Sequence, residues 1–308
     1  MKEFFDRLNA LAKPGRAYVI EKDYYIHRLL SAISRDNYLS ENLVFKGGTC
    51  LIKAYLGHYR FSEDIDFTWR SPGIWKGRSK TETVMLCSQE ITQLAQHFKV
   101  ISRRLEMKFS GEKNDRNEAH ISSSGRMVQF YIGYMSEMLR ARSRIKVEIN
   151  FVEDILYPYR VNELKNYADG FGPSESRELS FLYGQDWRDY TAPVELTCYD
   201  PREIFSEKCR AAMTRKAYKL RDILDIYFME RGFGYSIPAM DEDIKRKVRF
   251  MMNLYRRYQE NLELTEFPSV DLLKTEEMKL MLVEPPAGLK WEILRIHGEL
   301  TKLRSELL

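Results

Sequence analysis

Apolar residues along this chain recur with two periods, and the change from one to the other suggests how it is organised. Residues 21–36, EKDYYIHRLLSAISRD, place Tyr25, Leu29 and Ile33 at helical spacing and predict an amphipathic helix. The apolar run LVF at 43–45 flows into KGGT, which reads as a strand, a glycine turn and a helix from about Thr49, with Ala54 and Tyr55 late in it. In RFSEDIDF, residues 60–67, Phe61, Ile65 and Phe67 are apolar while Ser62, Asp64 and Asp66 are polar. From Asp64 onward that is the period of a strand.

Residues 82–98 predict another amphipathic helix, and 99–109, 126–134 and 144–151 predict successive strands. The polar segment GEKNDRNEAHISSSGR reads as a hairpin or flexible loop. Residues 154–200 are dotted with proline and glycine and yield no assignment. Pro201 suits a first helical turn, and the chain from there to Leu308 reads as mostly helical, broken near Pro268 and at Pro285–Pro286. There is no internal repeat and no low-complexity stretch. The expected fold class is therefore α+β. Residues 1–160 hold a mixed sheet with flanking helices, and 161–308 form a mostly helical half. The boundary falls between 155 and 200.

Composition narrows the class without choosing a function. With 308 residues, 44% apolar and 31% charged, the chain can bury a sizeable core. A net charge of +4 is low for a dedicated nucleic-acid protein. Charge is uneven, however: residues 101–150 carry ten Lys/Arg against six Asp/Glu, and residues 201–221 carry seven against two. Such stretches can face phosphates or form solvated surface. The four cysteines, Cys50, Cys87, Cys198 and Cys209, form no CxxC pair, which argues against a zinc site or a disulfide framework. No signal-peptide core and no membrane-length apolar run is present, so a cytoplasmic protein with no membrane partner is expected.

The chemistry concentrates in KGGTCLIKAYLGHYRFSEDIDF, residues 46–67. Asp64 and Asp66, two positions apart on a strand, must point to one face. Carboxylates that close repel unless a cation lies between them, and a hard divalent ion such as Mg²⁺ or Mn²⁺ prefers oxygen ligands. Gly47 and Gly48 let backbone approach an anion, and the helix start at Thr49 can hold phosphates. Neither a lone DxD nor a lone glycine pair is specific. Together, in a strand–turn–helix–strand context, they describe phosphoryl or nucleotidyl transfer.

This pattern is similar to the nucleotidyltransferase superfamily with the DNA polymerase β type of palm. More narrowly, GGTCLIKAY followed by RFSEDIDF, with EKDYY at 21–25, resembles the AbiEii/AbiGii toxin family. Fifteen residues separate Gly48 from Asp64, slightly more than the wider superfamily shows; the narrower family tolerates this. The resemblance implies a nucleotidyltransferase-type sheet and a metal-dependent reaction that uses an NTP. It also implies a bacterial toxin with a cognate antitoxin, and for some relatives an RNA acceptor, tRNA.

Palm-type sites usually take a third carboxylate from a nearby strand. In RIKVEINF, residues 144–151, Lys146, Glu148 and Asn150 share the face opposite Ile145, Val147, Ile149 and Phe151. Glu148 is the best candidate for a third metal ligand or a base, and Asp154 is a weaker substitute. The segment 201–229 resembles the toxin family through Glu207–Lys208, Arg221–Asp222 and Asp225. If one helix runs through, Lys208, Arg215, Lys219 and Asp222 share a face. The resemblance makes Lys208 and one of Asp222 or Asp225 active-site members, with Asp222 preferred. Arg60 could contact phosphate or anchor the hairpin, Ser62 caps or shapes the turn, and Lys46 could face the cradle. His58 has no catalytic partner in sequence and reads as structural or exposed.

The expected assignment has Asp64, Asp66 and Glu148 as metal ligands. Lys46, Gly47, Gly48, Thr49, Arg60, Ser62 and Lys208 contact the nucleotide, and Asp222 completes the set. The acceptor hydroxyl is expected on RNA. The rival readings are nucleotidylation of a small molecule or protein, and a nucleotide-binding module without catalysis.

Overall fold

The computed structural model describes residues 1–12, 15–268 and 276–308. The fold is α+β, as expected, and the chain forms two compact units. One comprises Met1–Glu153 and Tyr159–Cys198, the other Asp154–Pro158 and Tyr199–Leu308.

The first unit is built on a seven-stranded mixed sheet of order β3-β4-β5-β2-β1-β7-β6. Its strands are β1 (Leu43–Lys46), β2 (Asp64–Trp69), β3 (Ala119–Ile121), β4 (Met127–Ser136), β5 (Ala141–Asn150), β6 (Arg160–Glu163) and β7 (Glu195–Cys198). Helices α1 (Lys2–Ala12), α2 (Ala17–Ser34), α3 (Asn37–Asn42), α5 (Lys80–Arg104) and α6 (Pro173–Thr191) accompany it. A short α4 (Gly47–Cys50) continues as a π-helical turn, Leu51–Leu56. Burial alternates cleanly on the longest strands: Val128, Phe130 and Ile132 of β4 and Ile145, Val147 and Ile149 of β5 are all buried. Helices cover this face, with Phe98 of α5 against Phe130 at 5.5 Å and Tyr25 of α2 against Tyr134 at 4.1 Å between ring centres. The other face of these strands carries the polar residues of alternate positions. A second apolar cluster joins Phe4 and Phe5 of α1, Tyr24 of α2, and Leu179, Trp187 and Tyr190 of α6.

One expected strand is replaced by helix. Residues 99–109 are not a strand, because α5 runs on to Arg104 and only Lys108 bridges β4, at Gly133. A Ser79–Glu82 capping box starts that helix, and the buried residues Leu94, Phe98 and Ile101 follow its 3.6-residue period, which outweighs the β-branched Val100–Ile101 pair. Residues 154–200, whose pattern shows no clear period, contain β6, α6 and β7. The polar segment 111–126, which reads as a hairpin or flexible loop, carries the short edge strand β3 as one arm of an antiparallel hairpin with β4.

The second unit is helical: α7 (Pro201–Thr214), α8 (Leu220–Phe233), α9 (Asp241–Leu254), α10 (Arg256–Leu264) and α11 (Leu289–Ser305). No single helix spans 201–229, since α7 stops where Arg215 turns extended. Along a straight helix Lys208 and Asp222 would stand about 21 Å apart at 1.5 Å per residue. Folding α8 back brings them to 3.0 Å, and burial of both helices holds them there. The stretch 269–275, expected within the helical remainder, lies outside the described residues. Among the described residues no helix is long and apolar enough to cross a membrane.

Candidate active site

Strand register assembles the polar face of the sheet. β1 and β2 are antiparallel with Lys46 opposite Asp66. β2 and β5 are parallel, with Asp64 opposite Lys146 and Asp66 opposite Glu148. On β4, Gln129 stands opposite Glu148 and Tyr131 opposite Lys146. Directly paired residues project to the same side, so these groups share one face while Ile65, Phe67, Val147 and Ile149 fill the core on the other.

The side chains interlock. Lys146 Nζ lies 2.8 Å from Asp64 Oδ2. Gln129 Nε2 donates to Glu148 Oε2 at 2.8 Å, and the Tyr131 hydroxyl donates to Gln129 Oε1 at 3.0 Å. Asp66 is half-buried and its carboxyl is pushed up to about 6. Loss of water is the main cause, followed by the negative charges of Glu148 and Asp64; Lys146 and Lys46 pull the other way. Lys146 is raised as well. Burial opposes its charge, but the hydrogen bond and charge of Asp64, with Asp66 and Glu148 behind, prevail.

The glycine turn stands against these acids. Gly47 has φ of 77°, a left-handed conformation that glycine adopts without cost. A Cβ there would collide with the Asp66 carboxylate and stand 3.0 Å from its Cγ. At Gly48 a Cβ would come within 2.5 Å of an Arg60 guanidinium nitrogen and 3.5 Å of Ser62 Oγ. Arg60 therefore lies along the turn, with Nη1 donating to the Phe61 carbonyl at 2.9 Å. The Thr49 hydroxyl donates to the Asp64 carbonyl and shares a 2.8 Å hydrogen bond with Ser62. These bonds tie the start of α4 to the strand that bears the aspartates. Lys46 is buried and pairs with buried Glu153 at 3.2 Å, a partner that sequence reasoning did not anticipate.

Asp64, Asp66 and Glu148 offer an all-oxygen donor set of the kind hard divalent cations prefer. Burial raises Asp66 and the charges of Glu148 and Asp64 add to it; a cation would offset those charges, so the residues fit such an ion. Among the described residues no three carboxylate, histidine or cysteine side chains already close around one point. The positive charge beside Asp64 here is the ammonium of Lys146.

In the second unit Lys208 Nζ sits 3.0 Å from Asp222 and 2.7 Å from Asp225, both fully buried, and Arg215 reaches Asp222 at 3.2 Å. Burial alone would raise Asp222, but Lys208 and Arg215 outweigh it and hold the carboxyl below its ordinary range. Lys208 thus touches both acids between which the sequence left a choice. Asp154, the substitute for Glu148, is held by Arg246 at 2.7 Å. His58 stands 3.6 Å from Asp23, with its ring 3.9 Å from that of Tyr167. Gln129 and Tyr131 were missed; their alternation on the expected strand 126–134 was the signal available.

The sequence matches the model of the nucleotidyl transferase AbiEii toxin family, type IV toxin–antitoxin system, over residues 28–292. A comparison with curated proteins returned no match. Among solved structures, JHP933 from Helicobacter pylori aligns at 14% identity and a TM-score of 0.44, covering 94% of this chain and 93% of that one. A second H. pylori protein, described provisionally as a nucleotidyltransferase, aligns at 14% identity and a TM-score of 0.41, covering 94% and 96%.

Proposed function

Given that the chain belongs to the AbiEii nucleotidyl transferase toxin family of type IV toxin–antitoxin systems, we propose that it moves a nucleoside monophosphate from an NTP to an acceptor hydroxyl on RNA, with tRNA as the favoured acceptor. The observation that carries this reading is the register placing Asp66 beside Glu148 and Asp64 beside Lys146, next to a turn whose Gly47 is required by the Asp66 carboxylate.

Asp64, Asp66 and Glu148 would hold Mg²⁺ or Mn²⁺, which would supply positive charge against that of the phosphates and of the reacting oxygens. Gly47, Gly48 and Thr49 present backbone N–H groups at the start of α4 to the phosphates, and Arg60 and Ser62 brace that turn. Glu148, steadied by Gln129, accepts the proton of the acceptor hydroxyl. The acceptor oxygen bonds to the α-phosphorus, the α–β phosphoanhydride bond breaks, and pyrophosphate leaves. Lys208, fixed by Asp222 and Asp225, is a further requirement of the reaction that the family resemblance implies. A cognate antitoxin is the protein partner that family membership implies.

Incubating the protein with each α-labelled NTP in turn, Mg²⁺ and total RNA tests this reading. Label should enter RNA, and Asp64→Ala should abolish incorporation. Label found only on protein or small molecules would remove RNA as the acceptor. No turnover of any NTP would remove the enzymatic reading.

A further inference from the structure

The carboxylates occupy one end of a longer row. On the polar face of the sheet, β5 presents Arg142, Arg144 and Lys146 at alternate positions, leading to Glu148. Strand geometry spaces them about 6.8 Å apart. Lys146 is engaged by Asp64, whereas Arg142 and Arg144 are exposed and pair with no carboxylate among the described residues. The Arg144 guanidinium lies 4.5 Å above the Tyr131 ring, which holds it flat along the sheet.

The residue opposite Arg144 on β4 is Gly133, and Gly133 is bridged on its far side by exposed Lys108. A Cβ at position 133 would meet only ordinary contacts, the nearest at 3.6 Å, and Gly133 does not have a positive φ. Neither packing nor backbone conformation requires glycine there. Its effect is to leave a shallow trough in the side-chain cover between the strand positions of Lys108 and Arg144, whose backbones stand two strand spacings or about 9.6 Å apart. From there toward the carboxylates the face continues with Tyr131 and Gln129 of β4 beside Lys146 and Glu148 of β5, and β5 lies on the side of β2 away from β1 and the glycine turn.

We infer that this trough binds the single-stranded 3′ end of the RNA acceptor, with its terminal hydroxyl at Glu148 and successive phosphates passing Lys146, Arg144 and Arg142. The repeat of alternate strand residues suits the phosphates of an extended strand, and the exposed guanidinium can stack on a base. The inference rests on the nucleotidyl-transfer reading and names the path of its acceptor.

The test measures binding apart from catalysis, using a 3′-hydroxyl single-stranded RNA dodecamer labelled with fluorescein at its 5′ end. Its anisotropy is titrated with wild type, Arg142→Gln/Arg144→Gln, Gly133→Val and a control, Arg103→Gln/Arg104→Gln, whose arginines lie on α5 over the opposite face. Titrations span about 50 to 200 mM salt. The track variant should lose affinity at least about tenfold, and its log–log salt slope should flatten by about 1.4, or 0.7 for each lost phosphate contact. Gly133→Val should also weaken RNA binding. The control should match wild type, and Mg-NTP affinity and circular dichroism should be unchanged in all. Unaltered RNA affinity and salt slope in both β4–β5 variants would overturn the track. So would a wild type that transfers nucleotide to another acceptor while binding no RNA, which leaves the transfer reading intact. Absence of any NTP turnover sinks that reading separately.

Discussion

Lys53 Nζ lies 2.6 Å from Asp23 Oδ1, both side chains are buried, and the pair joins α2 to the turn that follows the glycine cradle. The Tyr190 hydroxyl donates to the other Asp23 oxygen at 2.8 Å, and Lys53 also donates to the Lys165 carbonyl at 3.1 Å. Burial by itself would raise Asp23, but Lys53 and His58 outweigh it and hold the carboxyl well below its ordinary range.

Asp23→Asn should therefore destabilise the protein by about 3–5 kcal/mol near pH 7, because it leaves a buried ammonium uncompensated. A carboxyl lowered in the folded state contributes its full stability above the unfolded pKa of about 3.9 and loses it as pH falls toward the folded value. The difference between wild type and variant in urea denaturation should thus shrink below about pH 4. A loss under about 1 kcal/mol at neutral pH would show that the pair does not hold α2 to the cradle.

Asp66 has the opposite sign. Its folded pKa of about 6 exceeds the ordinary carboxylate value, so the folded state binds more protons in the window between them. Stability of the metal-free protein should fall as pH rises from about 4 to 6 and level off above. Asp66→Asn should abolish transfer yet raise the melting temperature in EDTA at pH 7.5. Mg²⁺ should raise the midpoint of wild type and leave that of the variant unchanged. A variant that melts lower than wild type without metal would contradict the proposed repulsion.

Gly47→Ala should reduce transfer severely, because a methyl group there displaces the Asp66 carboxylate and the residue must still adopt φ of 77°. The backbone component alone costs about 1–2 kcal/mol. Thermal melting and NTP turnover check both effects. Near-normal turnover would mean that the turn does not fix Asp66.

The sequence made the acids legible because they lie on strands with an open face, where alternation announces direction. DIDF and RIKVEINF each show which side chains travel together, and the observed register joins them. What stayed hidden depends on contacts remote in sequence. Asp23 and Lys53 fall in segments, EKDYY and LIKAY, that carry the family resemblance, yet nothing in either shows that they meet. β6 and β7, of four residues each, are too short for a period to register. The extension of α5 to Arg104 was obscured by the β-branched Val100–Ile101 pair inside it. The break after Thr214 carries no glycine or proline, so the sequence does not announce it; Arg215 turns extended there, and Lys208 meets Asp222 and Asp225 across it.

Lys208→Met should destabilise the second unit, since Asp222 and Asp225 are fully buried and lose the cation they share. The expected cost is about 3–5 kcal/mol. Lys208→Arg should retain most stability while lowering transfer, because a planar guanidinium does not reproduce a point charge. Denaturation curves and initial rates measured together separate the two roles. Full transfer by Lys208→Arg would limit Lys208 to a structural part.

The most direct measurement follows two labels through one reaction. The protein, Mg²⁺ and RNA are incubated in parallel with an NTP labelled at the α-phosphate and with the same NTP labelled at the γ-phosphate. If Asp64, Asp66 and Glu148 direct nucleotidyl transfer, the α-label enters RNA and the γ-label leaves as pyrophosphate, and Asp64→Ala shows neither. Appearance of the γ-label on an acceptor, or equal incorporation by Asp64→Ala, would contradict that claim.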